Sequence, residues 1–360
     1  MKVTIYSRWI HILPPLLLLV WLMVINSCER RPLEYDEKPR GAAIAVKIDW
    51  SKSGIDPYSS DNGVHRVSLR FFPKDVPSDV FELYMEGNVT EGEILIPAGR
   101  YAVIIYNESA VTDRAFWDGA ITFTDVNSFT DFAANAVPYA AAQRTQAFPF
   151  YKPSAAEQFI VEPLRLASWS IENFVVTENM ITVSNGQRPW NYLTEEEKQM
   201  FDAFKNVVMR GLTRQVEVNA QVENLISTQT AYMAMQGFAT KVYMASARTT
   251  LHSSTYLFTF NRRKYETNGK NGMMNSSFLS FGRITPSGSY RESYMIAADI
   301  LFVTGELHKP SPPLLFDVTG QVLSNYDAKI SIDLLINYKL PYVEGGIMVD
   351  EWDDSIYQLD

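Results

Sequence analysis

GEILIPAGRYAVIIYN, residues 92–107, decides the fold class. Pro97-Ala98-Gly99 separates two apolar runs and reads as a turn between strands, with Gly99 able to take φ > 0. Beyond the turn, Tyr101, Val103 and Ile105 fall on one face of an extended chain and Ala102, Ile104 and Tyr106 on the other, because successive strand side chains point to opposite sides. A strand that is apolar on both faces cannot have water on either, so this one is predicted to be central in its sheet.

Outward from this stretch the dominant period is two. Ile44, Val46, Ile48 and Trp50 share one face, with Lys47 and Asp49 on the other. Val67, Leu69 and Phe71 alternate with Ser68 and Arg70, and Phe81, Leu83 and Met85 with Glu82 and Tyr84. These are half-buried strands. Another is expected near Trp117–Phe123, and Asp125–Ser154 reads as irregular. After a break near residue 163, Ser170–Thr182 reads as strand and NGQRPW as turn. Thr194 with Glu197 forms a capping box, and Phe201, Phe204 and Val208 repeat at helical spacing, which predicts a helix over 195–209. Val216, Val218, Ala220 and Val222 then alternate with Glu217, Asn219, Gln221 and Glu223. Residues 224–236 are ambiguous between helix and strand. Further strands are expected near 238–245, 254–260, 277–283 and 293–303, and Ala328–Asn337 closes the series. Many short strands between turns predict an all-β chain of two sandwiches, residues 41–162 and 163–340, with one short helix in the second.

The chain ends carry a different message. Lys2 and Arg8 precede an uncharged apolar run, Ile12–Ile25, of 14 residues interrupted by Pro14-Pro15. A transmembrane helix needs about 20 residues, so residues 1–27 read as an export signal. Ile25-Asn26-Ser27-Cys28 resembles the bacterial lipobox, with Asn26 the less usual choice at its position. Cys28 is the only cysteine in 360 residues, which makes it the expected lipidation site and leaves no internal disulfide or cysteine metal cluster. Residues 28–40, charged and holding two prolines, read as a tether. The tail, 341–360, has Gly345-Gly346 as a hinge and then Ile347, Val349 and Trp352 among Asp350, Glu351, Asp353 and Asp354. It reads as a solvated acidic end; the alternative is an extended segment that adds to a partner's sheet edge.

Past residue 27 the chain carries 30 basic against 41 acidic side chains, an acidic body that argues against nucleic acid as a partner. No catalytic constellation is legible. His65, His252 and His308 show no paired spacing, and no Gly-x-Ser-x-Gly, phosphate loop or dinucleotide fingerprint occurs. Asp56, Asp61 and Asn62 near Gly63 read as a polar turn, since their spacing is not that of an EF-hand loop. Asp353-Asp354 cannot be assigned to glycosidase chemistry without a cleft. Arg262-Arg263-Lys264 reads as a hairpin tip. Trp117, Trp169, Trp190 or Trp352, if exposed, could stack on sugars, although Trp in strands is more often core. No catalytic residue, cofactor or metal is expected.

Together the lipobox, the charged tether, IPAGRYAVIIYN, WDGAITF, SIENFVVTE and the closing KISIDLLINYKLP…GGIMVDEW resemble the fimbrillin-like lipoproteins of Bacteroidales bacteria, and more closely a branch allied to minor fimbrial subunits and anchors. The resemblance spans most of the chain from Cys28 onward. It implies two tandem transthyretin-like β-sandwich domains, an outer-membrane or surface location through the Cys28 lipid, and a role as fimbrial anchor, accessory or tip subunit partnered by other fimbrial subunits and by a host or glycan ligand. In polymerising relatives an arginine-specific protease trims the precursor and a neighbour's segment fills the vacated groove; Arg66, Arg70 and Arg100 are among the arginines on offer, with nothing marking one of them. Asp354-Ser355-Ile356 resembles the O-glycosylation signal of these bacteria. The competing reading is a glycan-binding outer-membrane lipoprotein that serves nutrient uptake.

Overall fold

The computed structural model describes residues 41–59, 63–109, 120–139, 159–223, 225–250, 253–260, 262–267, 269–284, 292–302, 307–308, 314–324, 329–336 and 357–358. In chain order the strands are β1 (Ala42–Asp49), β2 (Val64–Pro73), β3 (Phe81–Glu86), β4 (Glu91–Ile96), β5 (Gly99–Ser109), β6 (Ile121–Thr124), β7 (Ala133–Ala136), β8 (Phe159–Ile160) and β9 (Ala167–Val176). Helices α1 (Glu178–Ser184) and α2 (Glu195–Asp202) follow, then β10 (Val207–Val208), β11 (Arg210–Gly211), β12 (Arg214–Val222), β13 (Thr228–Ala239), β14 (Lys241–Tyr243), β15 (Ser253–Thr259), β16 (Arg262–Tyr265) and β17 (Gly272–Ser280). The series ends with β18 (Met295–Phe302), β19 (Leu307–His308), β20 (Leu314–Asp317), helix α3 (Thr319–Ser324), β21 (Lys329–Ile336) and β22 (Tyr357–Gln358). Among the described residues no helix is long and apolar enough to cross a membrane.

A first core lies among a three-stranded sheet, β10-β1-β4, a five-stranded sheet, β11-β9-β5-β2-β3, and helices α1 and α2. The period-two reading of β1 holds: Ala42, Ile44, Val46 and Ile48 are buried, and Trp50 beyond them is buried with its indole N–H donating to Val89 O at 3.1 Å. β5 is the middle strand of five, as its two apolar faces predict. Tyr101, Val103 and Ile105 enter the first core, while Ala102, Ile104 and Tyr106 enter the second. Phe71, Phe81 and Tyr101 pack as a ring cluster, with Phe71 stacked on Phe81 at 4.9 Å and edge-on to Tyr101 at 5.5 Å, geometries that suit the aromatic quadrupole.

The second core is enclosed by a four-stranded sheet, β16-β17-β12-β21, a larger sheet running β22-β20-β18-β13-β15-β8 with β19 also on β18, and a small sheet, β14-β7-β6. β12 and β21 run parallel and bury Val216, Val218, Ala220 and Val222 beside Ile330, Ile332, Leu334 and Ile336. The alternation read from both segments is therefore observed. Phe238, Tyr256, Phe278 and Tyr294 form an aromatic nucleus between the sheets.

Several local expectations are corrected. The 97–99 turn does not close a hairpin within one sheet: β4 pairs with β1 and β5 with β2 and β9, so the turn carries the chain across the sandwich. Gly99 has no positive φ; a Cβ there would lie 2.6 Å from the Tyr101 hydroxyl, so contact rather than dihedral freedom calls for glycine. The strand expected over 170–182 stops at Val176, because Thr177 caps α1 by accepting from Met180 N at 3.1 Å. The helix expected over 195–209 stops at Asp202, and Val207–Val208 instead pair in parallel with Ile48–Asp49. Its capping box is present, with Glu197 N donating to Thr194 Oγ1 at 3.2 Å and Thr194 N to Glu197 Oε2 at 2.9 Å. Among the described residues three short α-helices occur rather than one. The ambiguous 224–236 stretch contributes a 3-10 turn at Leu225–Ser227 and most of β13. Residues 167–209 feed the first core although they follow the break expected near residue 163, and from Leu212 onward the clustered core residues belong to the second.

Candidate functional site: open sheet edges

A sheet margin exposes a row of backbone donors and acceptors that another strand can satisfy, and charged edge strands guard against this. β16 is guarded. Arg262-Arg263-Lys264 is the arm of a hairpin paired to β17, not its tip, and Arg263 and Lys264 are exposed along that margin.

Two other margins are left partly uncovered among the described residues. The first is on β20, whose Leu314–Asp317 segment pairs with β18 on one side. On the other side Phe316 and Asp317 pair in parallel with Tyr357 and Gln358 of β22. The receiving strand is held firmly. Phe316 is buried, the Asp317 carboxylate accepts from Thr319 N at 3.0 Å, and the adjoining Val318 N donates to Tyr294 O at 3.0 Å. Thr319 Oγ1 in turn accepts from Tyr294 N at 3.0 Å. Such an edge needs little ordering when a strand arrives. Leu314 and Leu315 have no strand partner on that flank among the described residues.

The second margin is on β1. β4 pairs with Ala42–Lys47, whereas β10 reaches only Ile48 and Asp49 on the opposite flank, with one further bond from Lys47 N to Phe204 O at 2.8 Å. Beside the uncovered part lies an open cleft of about 660 Å³ lined by Ala45, Val46, Lys47, Glu91, Gly92, Lys205 and Asn206.

The sequence candidates scatter. Cys28, Asp61, Asn62, Trp117, His252, Trp352 and Asp353 to Ile356 lie outside the described residues. His65 is exposed on β2 and His308 lies on β19. Asp56 accepts from Tyr58 N at 3.1 Å, which is the polar turn expected there. Among the described residues no three His, Cys, Asp or Glu gather at metal-binding distance. Trp169 is half-buried, edge-on to Phe204 at 5.8 Å, whereas Trp190 is exposed.

Of the three arginines named, Arg66 and Arg70 sit mid-strand in β2 between β3 and β5. Arg66 bonds Glu108 at 2.7 Å and Arg70 bonds Glu82 at 2.6 Å. Burial works against the Glu82 charge, but the Tyr106 and Tyr84 hydroxyls and Arg70 outweigh it and hold its carboxyl below the usual range. Arg100 is paired with Asp75 at the start of β5. None of the three offers a free extended peptide to a protease.

β20 was missed because Leu314-Leu315-Phe316 is a very short apolar run. The flanking prolines, Pro312-Pro313, were the signal that a strand could begin there.

The family model described as a domain of unknown function, DUF5119, matches residues 27–259. The chain belongs to this family. Over 99 residues this DUF5119 chain is also 32% identical to a Bacteroides ovatus protein named "Putative fimbrium anchoring subunit Fim4B", a match spanning 28% of this chain and 27% of the relative. The aligned part is thus about a quarter of that relative. The fimbrial resemblance read from the sequence is borne out by it. A crystal structure of a "putative adhesin" from the same species superposes with a TM-score of 0.50 at 15% identity, covering 91% of this chain and 98% of the other. The fimbrial anchor protein Mfa2 from Porphyromonas gingivalis gives 0.41 at 10% identity, over 81% and 90%. The adhesin superposition is a likeness of fold at low identity.

Proposed function

We propose that this protein is a lipid-anchored cell-surface subunit of a fimbrium, placed as an anchor, accessory or tip component and joined to its neighbours by strand addition. The observation that carries the reading is the parallel seating of Tyr357–Gln358 on the β20 margin. A tail segment that adds to a sheet within its own chain has the backbone chemistry to add to a neighbour's, and the β20 margin can receive one in return. The B. ovatus anchoring subunit supports the same reading. Cys28 supplies the anchor in this proposal, since several acyl chains at about 0.8 kcal/mol per buried methylene hold a protein on a membrane where one does not.

The test is fractionation of the native cell carrying wild type, Cys28→Ala or Gln358→Pro. Proline removes a ladder donor and is poorly tolerated in a paired strand. Cys28→Ala should leave the outer-membrane fraction. Gln358→Pro should remain there but lose co-purifying fimbrial subunits. Membrane retention of Cys28→Ala, together with no fimbrial subunit recovered with wild type, counts against the proposal.

A further inference from the structure

The turn between α1 and α2 holds two large aromatic rings out into water on a backbone that is fixed at both ends. Gly186, at φ +73°, lets the chain leave α1. Gln187 N and Arg188 N both donate back to Thr182 O, at 2.9 and 3.2 Å. Trp190–Tyr192 then form a single 3-10 turn, closed by Tyr192 N to Pro189 O at 3.0 Å and Leu193 N to Trp190 O at 3.2 Å. Asn179 Nδ2 donates to Tyr192 O at 3.0 Å, and Leu193 is buried in the first core. On this frame Trp190 is 49% and Tyr192 59% exposed. The Trp190 ring rests against Phe201 at 5.1 Å, and the Arg188 guanidinium lies 5.8 Å over the Tyr192 ring.

Leu193 anchors the turn to the core, and Trp190 covers Phe201 with part of its ring while the rest stays in water. Exposed aromatics on a locked backbone lose little freedom when they bind, which is a mark of recognition surfaces. The surroundings are polar and planar: Gln187, Asn191 and Arg188 are exposed hydrogen-bonding groups in the same turn. They are also acidic on balance, with Glu178, Glu195 and Glu196 exposed on the adjoining helices against Arg188 and against Lys198, which pairs with Glu195 at 2.7 Å.

We infer that this turn is a binding site for neutral glycans. A pyranose ring has a face of C–H groups that stacks on an aromatic ring and a rim of hydroxyls that pair with amide and guanidinium groups. The acidic flanks repel sialylated or uronate-containing sugars and leave neutral ones. The inference is independent of the fimbrial reading, because it concerns another part of the molecule and requires no neighbouring subunit.

The test screens the mature full-length protein against an array of neutral and sialylated oligosaccharides, then titrates the best neutral ligand calorimetrically. Tyr192→Ala and Trp190→Ala should each weaken binding by about tenfold or more, as truncation of an aromatic anchor does, and Trp190→Phe should recover part of the loss. Tyr192 is the safer site, since its ring is the more exposed; thermal melting of each variant separates lost binding from lost folding. Binding of neutral ligand that both alanine variants retain overturns the proposal. So does binding confined to sialylated glycans or to cationic peptides, or no binding of any neutral glycan at millimolar concentration.

Discussion

Tyr101 donates its hydroxyl hydrogen to the carbonyl of Pro97 at 3.1 Å, so the strand that leaves the 97–99 turn also clamps it. Tyr101→Phe keeps the ring contacts with Phe71 and Phe81 and removes only this clamp. The expected cost is about 1 kcal/mol, the net worth of one ordinary hydrogen bond. Urea unfolding should show the midpoint lowered with the slope unchanged.

Gly237 lies at the bulge of β13 with φ +114°, and a Cβ there would sit 2.4 Å from Ser293 O. Gly237→Ala therefore combines dihedral strain with a clash against backbone that cannot rotate away, and a loss of about 3 kcal/mol is expected. Gly54, also at positive φ but with open space around its would-be Cβ, provides the control. Gly54→Ala should cost about 1 kcal/mol. Equal losses at the two sites in chemical denaturation would show that the clash contributes nothing.

Asn107 is buried and acts as a backbone substitute, donating from Nδ2 to Arg165 O at 3.0 Å and accepting from Ala167 N at 2.7 Å. Asn107→Ala strands both backbone groups and should cost about 2 to 3 kcal/mol. Hydrogen exchange at Ala167 should accelerate along with the global loss. An Ala167 amide as protected as in wild type would contradict this role.

Glu292 accepts a bidentate pair from Arg283, both bonds at 2.8 Å, and a third bond from the Tyr294 hydroxyl at 2.6 Å. Burial opposes its charge, yet these donors overcome the opposition and hold its carboxyl below the usual glutamate range. A depressed folded-state pKa contributes stability that is present above the unfolded value, about 4.3, and is lost as pH falls through the folded one. Melting temperature should thus decline below about pH 4.3, and Glu292→Gln should flatten that part of the profile while lowering stability at neutral pH. Glu82 adds to the same acid limb, so flattening is partial in the single variant.

The central position of β5 was legible because Tyr101–Tyr106 are apolar on both faces, and the α2 start was legible because Thr194 and Glu197 are a local pair. The end of β9 was not, although its signal was there. Thr177 is a good helix cap and Asn185-Gly186 a good helix exit, but the β-branched Ile181, Thr182 and Val183 between them favour extended chain, and the burial of Met180, Ile181 and Val183 in the first core decides for helix. The path of the 97–99 turn was hidden for another reason. Turn chemistry is local, whereas the pairing of β4 with β1 instead of β5 is set by which sheets close over the first core. The β20 margin and the Trp190 turn illustrate the same divide. Trp190 was named from the sequence and the β20 segment was not, and only the assembled fold shows which backbone flank is uncovered and which ring is left in water.

β5 is a party wall. Its alternate side chains belong to two cores, so the chain cannot be divided into two pieces that each keep a complete interior. Traction applied between an attachment at one end and a load at the other would meet a single mechanical body rather than two beads on a string, and a force–extension trace should release the Gly41–Ile336 contour in one event instead of two.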